Sequence, residues 1–145
     1  AYYISKTNDG GYIIAGQNDA LYNNGRNNGW LIKINSTGET IWEENFGSSQ
    51  LFTSVIQDSN GGYIVAGFSL GTSDYLWLVK VNSDGSQIWE KKYRCNSYNT
   101  GYPHPRHIQE AQVTSDGGYI AVSGKLEQIL LIKTDPEGNT VPYND

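Results

Sequence analysis

The chain states one pattern three times, and that limits its fold more than any other feature. Asn8-Asp9-Gly10-Gly11-Tyr12-Ile13-Ile14-Ala15-Gly16 returns as Ser59-Asn60-Gly61-Gly62-Tyr63-Ile64-Val65-Ala66-Gly67. It returns again as Ser115-Asp116-Gly117-Gly118-Tyr119-Ile120-Ala121-Val122-Ser123-Gly124. A second segment follows each time: Trp30-Leu31-Ile32-Lys33, Leu76-Trp77-Leu78-Val79-Lys80 and Ile129-Leu130-Leu131-Ile132-Lys133. A polar turn then closes the unit: Asn35-Ser36-Thr37-Gly38, Asn82-Ser83-Asp84-Gly85 and Asp135-Pro136-Glu137-Gly138. The Gly-Gly-Tyr steps lie 51 and 56 residues apart, a repeat-protein period.

Each unit parses into four short strands. In the middle repeat the pattern predicts strands over residues 51–57, 63–69, 75–81 and 87–93, all rich in β-branched and aromatic residues. Asp58-Ser59-Asn60-Gly61-Gly62 and Asn82-Ser83-Asp84-Gly85 carry hairpin-turn chemistry, with glycine where positive φ is needed. Amphipathic helical spacing is absent. Tyr75-Leu76-Trp77-Leu78-Val79 and Ile129-Leu130-Leu131-Ile132 are apolar on both faces, whereas a strand with one wet face would alternate. Four-stranded antiparallel sheets covered on both faces and recurring at about 50 residues predict an all-β fold of β-propeller blades. A parallel β-helix has shorter coils and would not need two tight hairpins per repeat. The expected blades are residues 1–48, 49–94 and 95–145, the third with a long leading loop and an atypical last strand.

The pattern Asp/Asn-Gly-Gly-Tyr-Ile-x-Ala-Gly, followed by Trp-Leu-x-Lys-x-Asn-x-x-Gly-x-x-x-Trp, resembles the tandem β-propeller repeats of bacterial and archaeal secreted and surface proteins. Its second half is similar to the tryptophan-docking motif of quinoprotein-type propellers, in which a Trp stands four residues after the turn Gly. Gly38 precedes Trp42 and Gly85 precedes Trp89 at that spacing, while the third repeat has Pro142 in the Trp position. The resemblance covers about residues 1–141. It implies an architecture and no particular activity, because such folds host unrelated functions.

Three blades fall short of the four to eight that close a propeller. Trp30 or Trp77, and the strand around Ile129–Ile132, are therefore expected to be covered by further blades of the same polypeptide or by another copy of the chain. Thr140-Val141-Pro142 predicts a poor fourth strand, since Pro forfeits a ladder donor. The opening Ala1-Tyr2-Tyr3 already reads as strand, as in a mature chain or a piece of a longer one.

A net charge of −5 provides no basic surplus for nucleic acid or an anionic membrane. No apolar run approaches the ~20 residues that span a bilayer. Only 17% of residues are charged, and the neutral Tyr- and Asn-rich surface suits an extracellular or cell-surface setting. Cys95 is the single cysteine, so no intrachain disulfide forms.

Residues present in every repeat read as structural. Lys33, Lys80 and Lys133 are expected to end buried strands with the ammonium near Asn35, Asn82 or Asp135. Trp42 and Trp89 read as inter-blade packing. The irregular segments, residues 17–29, 69–74, 94–107 and 124–128, all belong to the blade end opposite the glycine turns, so that end is expected to carry binding residues. Its candidates are Tyr22, Arg26, Arg94, Tyr98, Tyr102, His104, Arg106 and His107, types that suit a protein or carbohydrate ligand. Zinc on Cys95, His104 and His107 matches no standard ligand spacing and lacks a fourth ligand. Calcium at Asn82-Ser83-Asp84-Gly85 or Asn8-Asp9-Gly10 is conceivable, but turn chemistry already explains those residues, and no cofactor is implied. Asn35-Ser36-Thr37 is a glycosylation sequon in a tight turn.

The sequence thus leads to a non-catalytic β-propeller module, a scaffold or binding platform. One alternative is a structural subunit of a filament or surface lattice. Another is an enzyme at the mouth of the central channel, using Lys6, Gln57, Asp58, Gln109, Glu110 and Gln112, a set short of acids for acid/base work. No catalytic residue is nominated.

Overall fold

A computed structural model describes residues 2–18, 28–47, 50–69, 75–94, 108–125 and 128–140. Every regular element among them is a β-strand. The first sheet holds β1 (Tyr3–Lys6), β2 (Tyr12–Asn18), β3 (Asn28–Ile34) and β4 (Thr40–Phe46), in that order and antiparallel. The middle sheet repeats the arrangement with β5 (Gln50–Gln57), β6 (Tyr63–Ser69), β7 (Tyr75–Val81) and β8 (Gln87–Arg94). The third has β9 (Ile108–Val113), β10 (Tyr119–Lys125) and β11 (Gln128–Thr134). The expected weak fourth strand is reduced, among the described residues, to one bridge from Thr140 to Thr134.

Register recurs with topology. Tyr12 pairs with Ile34, Tyr63 with Val81 and Tyr119 with Thr134. A bulge interrupts the β3–β4 pairing between Lys33 and Ile34, and the β7–β8 pairing between Lys80 and Val81. Both glycines of each Gly-Gly step are required, for different reasons. The first has positive φ: 83° at Gly10, 82° at Gly61 and 80° at Gly117. The second lies against the carbonyl that ends the third strand; a Cβ on Gly62 would meet Val81 O at 2.6 Å. The two hairpin turns of each sheet therefore lie side by side at one end, as the strand parity requires.

The middle sheet shows why both faces had to be apolar. Tyr63, Val65, Trp77, Val79 and Val81 pack toward the first sheet, against Ile13, Ala15 and Leu31. Ile64, Ala66, Leu76 and Leu78 pack toward the third, against Ala111, Tyr119, Ala121 and Ile132. The first junction is pinned by Phe52, stacked on Trp77 at 4.7 Å and tilted against Phe46 at 5.6 Å. Trp77 is thus covered by this chain's own first sheet, and Ile132 by its middle sheet. Trp30 is only half-buried, and Ile129 and Leu131 stay 79% and 59% exposed.

Trp77→Ala should cost about 3–5 kcal/mol, because it empties the stacked centre of a fully buried junction. Leu131→Ala, on an open face, should stay within about 0.5 kcal/mol. Urea unfolding of the two variants against the parent chain checks the contrast.

Candidate functional site

The chemistry-bearing residues that recur converge on the turn end of each sheet. A third-strand lysine reaches back over the glycine turn to an aspartate. Lys33 Nζ lies 2.9 Å from Asp9 Oδ2 and donates to the Ile34 carbonyl at 3.0 Å. Lys133 Nζ lies 2.7 Å from Asp116 Oδ2 and donates to the Thr134 carbonyl at 3.2 Å. Lys80 contacts Asp58. This corrects the expected placement of these ammonium groups beside Asn35, Asn82 and Asp135. Those three residues instead tie the neighbouring turn. Asn35 Oδ1 accepts from the Thr37 and Glu39 amides, Asn82 Oδ1 from Asp84 and Ser86, and Asp135 Oδ1 from Asn139.

The aspartate does not keep its place. In the first and third repeats it stands two residues after a threonine: Thr7 donates to Asp9, and Thr114 to Asp116, both at 2.5 Å. In the middle repeat the threonine position holds Asp58 and the aspartate position holds Asn60. The charge has moved two residues and still meets its lysine. Asp58 also accepts from the Asn60 and Gly62 amides at 2.9 and 3.0 Å. The move coincides with burial: Asp58 and Lys80 are nearly enclosed, whereas Asp9 and Asp116 are more than half exposed. Burial pulls the Lys80 ammonium down to about 8, and the Asp58 carboxylate lies in contact with it. The Thr7 hydroxyl, then Lys33 and the Gly11 amide, hold the Asp9 carboxyl well below the usual carboxylate range. Lys133, then Thr114 and the Gly118 amide, do the same for Asp116.

A cleft of about 460 Å³ opens where the turn ends of the first and middle sheets meet. Asn8, Asp9, Trp42, Asn60, Tyr63 and Ser83 contribute to its wall. Gln57 spans its floor, accepting from the Asn8 amide at 2.8 Å and donating to the Gly61 carbonyl at 3.1 Å. The cleft can hydrogen-bond and offers an aromatic edge. Its carboxylate, already ionised and paired, is badly placed to trade protons near neutrality. Sequence reading named Gln57 for the channel mouth and Asn8, Asp9 and Ser83 for calcium, but did not bring them together, because which turns meet is decided by the stacking of two sheets. The available signal was that Gln57 and Ser83 become Val113 and Pro136 at the next junction.

Of the binding-face candidates, Arg94 lies exposed at the end of β8, opposite Tyr75 and away from the turns. Tyr22, Arg26, Tyr98, Tyr102, His104, Arg106 and His107, with Cys95 and its zinc grouping, lie outside the described residues. Of the channel set, the Gln109 side chain lies outside the described residues. Asp58 and Gln57 are engaged in turns, Lys6 is exposed, and Gln112 donates to Glu110 at 3.4 Å. Of the oxygens considered for calcium, Asp9 Oδ1 accepts from Thr7, Gly11 and Lys33, and Asn82 Oδ1 and Asp84 Oδ1 accept from the Ser86 amide. Among the described residues no three His, Cys, Asp or Glu side chains cluster for a metal, and no helix is long and apolar enough to cross a membrane.

Asp58→Ala should destabilise by about 3–5 kcal/mol, since it leaves a buried ammonium without its counter-charge. Asp9→Ala should cost visibly less. Asp58→Thr combined with Asn60→Asp, which restores the arrangement of the outer repeats, should recover much of the loss; urea midpoints of the three variants decide. Acid should act through Asp9 and Asp116. Their carboxyls are depressed in the fold, so their contribution is present above the unfolded value of about 4 and is lost as pH falls below it. The unfolding midpoint should therefore decline on acidification from that point, and decline less when both residues are Asn.

No family model and no curated protein matches the chain. Among solved structures it is similar to a protein of unknown function from Bacteroides caccae, with a TM-score of 0.62 at 13% identity. The match covers 96% of this chain and 43% of that one, so the chain spans less than half of its structural relative. The likeness shows a shared three-sheet, antiparallel all-β fold with blade-like packing.

Proposed function

We propose that the chain is a non-catalytic segment of a larger β-propeller, a scaffold whose exposed ends serve as a binding platform outside the cell or on its surface. One observation carries this reading: the outer faces of the first and third sheets have the composition of faces that are buried in the middle sheet. Ile4, Tyr12, Ile14 and Ile32 stand where Val55, Tyr63, Val65 and Val79 are enclosed. Ile129 and Leu131 stand where Leu76 and Leu78 are enclosed. Each large side chain of that kind is worth ~1.5–3 kcal/mol when covered. The recurring polar residues support a structural role, because the turns and ion pairs already engage them. The polar cleft at the first junction adds a surface on which a protein or carbohydrate ligand could be held.

Light scattering with an apolar dye tests the reading on the 145-residue chain. The expected result is association or strong dye binding. A dye-silent, cooperatively folding monomer of 16.1 kDa would overturn it.

A further inference from the structure

The chain contains two filled copies of one docking arrangement and one empty copy. Trp42 of the first sheet lies edge-on to Tyr63 at 6.0 Å and covers Gly85, where an added Cβ would meet its ring at 3.0 Å. Its indole Nε1 donates to the Ser83 carbonyl at 3.1 Å. Trp89 of the middle sheet meets Tyr119 at 5.9 Å and covers Gly138, where an added Cβ would meet its ring at 2.9 Å. Each receptor therefore pairs the tyrosine that opens the second strand with the glycine of the turn after the third. Filled, they are closed: Tyr63 is 1% and Tyr119 3% exposed, and Gly85 and Gly138 are buried.

The first sheet carries the same pair in Tyr12 and Gly38. Gly38 has the same backbone conformation, with φ of 89° against 90° at Gly85. Yet Tyr12 is 37% exposed, and nothing lies within 4 Å of a Cβ built on Gly38. Beside the pair, Ile4 is open, where its middle-sheet counterpart Val55 is enclosed.

We propose that Tyr12 and Gly38 form an unfilled tryptophan receptor, and that its occupant is the outer strand of a further repeat of the same polypeptide bearing Trp four residues after its turn glycine. This rests on the scaffold reading and sharpens it. Continuity favours a covalently joined repeat: β4, which carries Trp42, runs within a few residues into β5 of the sheet that receives it. A second copy of these 145 residues fits poorly. Its Trp42 and Trp89 are already seated in its own junctions, and its third repeat has Pro142 in the docking position.

Tyrosine nitration mapped by mass spectrometry tests this, with Tyr63 and Tyr119 as internal controls. In the chain alone Tyr12 should react and the two controls should not. Residues 1–48 duplicated ahead of the full chain, with Tyr12→Phe in the added copy so that only the original Tyr12 is read, supply a Trp-bearing repeat, and Tyr12 of the original repeat should then lose its reactivity to the level of Tyr63. Trp42→Ala in the added repeat only should restore it. If Tyr12 stays reactive in the fusion while Tyr63 remains protected, there is no receptor. If the chain alone protects Tyr12 as its concentration rises, a second copy is the occupant and the proposal falls. Scattering on the same samples reports separately on the scaffold reading, since a dye-silent monomer sinks that reading whether or not the added repeat protects Tyr12.

Discussion

A sheet that is apolar on both faces cannot stand by itself in water, and the rest of this structure depends on that constraint. β6 and β7 alternate in direction but not in polarity: Tyr63 and Val65 turn one way, Ile64 and Ala66 the other, and all four are buried. Such strands need a neighbour on each side, which makes the sheets stack in sequence order. Stacking brings the turns of adjacent sheets together, and only there do the tryptophans, tyrosines and ion pairs meet. The polar features are consequences of the stacking, since each lies where two sheets or two turns close on one another.

The lysine–aspartate pairs illustrate how one element serves different surroundings. In the outer sheets the carboxylate faces solvent, so water screens the pair, although Lys33 itself is as buried as Lys80. In the middle sheet the pair is enclosed, and Lys80 also lies 5.4 Å from the centre of the Tyr119 ring of the next sheet. A buried charge without its partner is costly, and the amides of Asn60 and Gly62 give the Asp58 carboxylate further donors. The middle turn is thus bound more tightly into its surroundings than the outer two.

Most of the fold was legible because it is written in period and turn chemistry. The middle-repeat strands fall within a residue of their expected limits, and the Gly-Gly and Asn-x-x-Gly turns are where the glycines indicated. The destination of the lysines was not legible. Asn35, Asn82 and Asp135 are adjacent in sequence, whereas the true partners lie across the sheet and shift between positions 9, 58 and 116. The junction cleft was also hidden, because its residues come from turns far apart in sequence that only the stacking of two sheets brings together. Of the irregular binding-face positions, only Arg94 belongs to the described structure.

The displaced aspartate of the middle turn has a consequence for how such repeats change. Averaging the three repeats into a consensus would write Thr at the first turn position and Asp at the third. Applied to the middle repeat one residue at a time, that consensus passes through a turn with no carboxylate or with two, and in an enclosed site each intermediate leaves a charge unbalanced. The unit of exchange between these repeats is therefore the whole five-residue turn together with its lysine. Duplication and recombination that move complete turns can cross this gap, while gradual drift of single residues meets its highest barrier at the middle turn, where the carboxylate as well as the ammonium is enclosed.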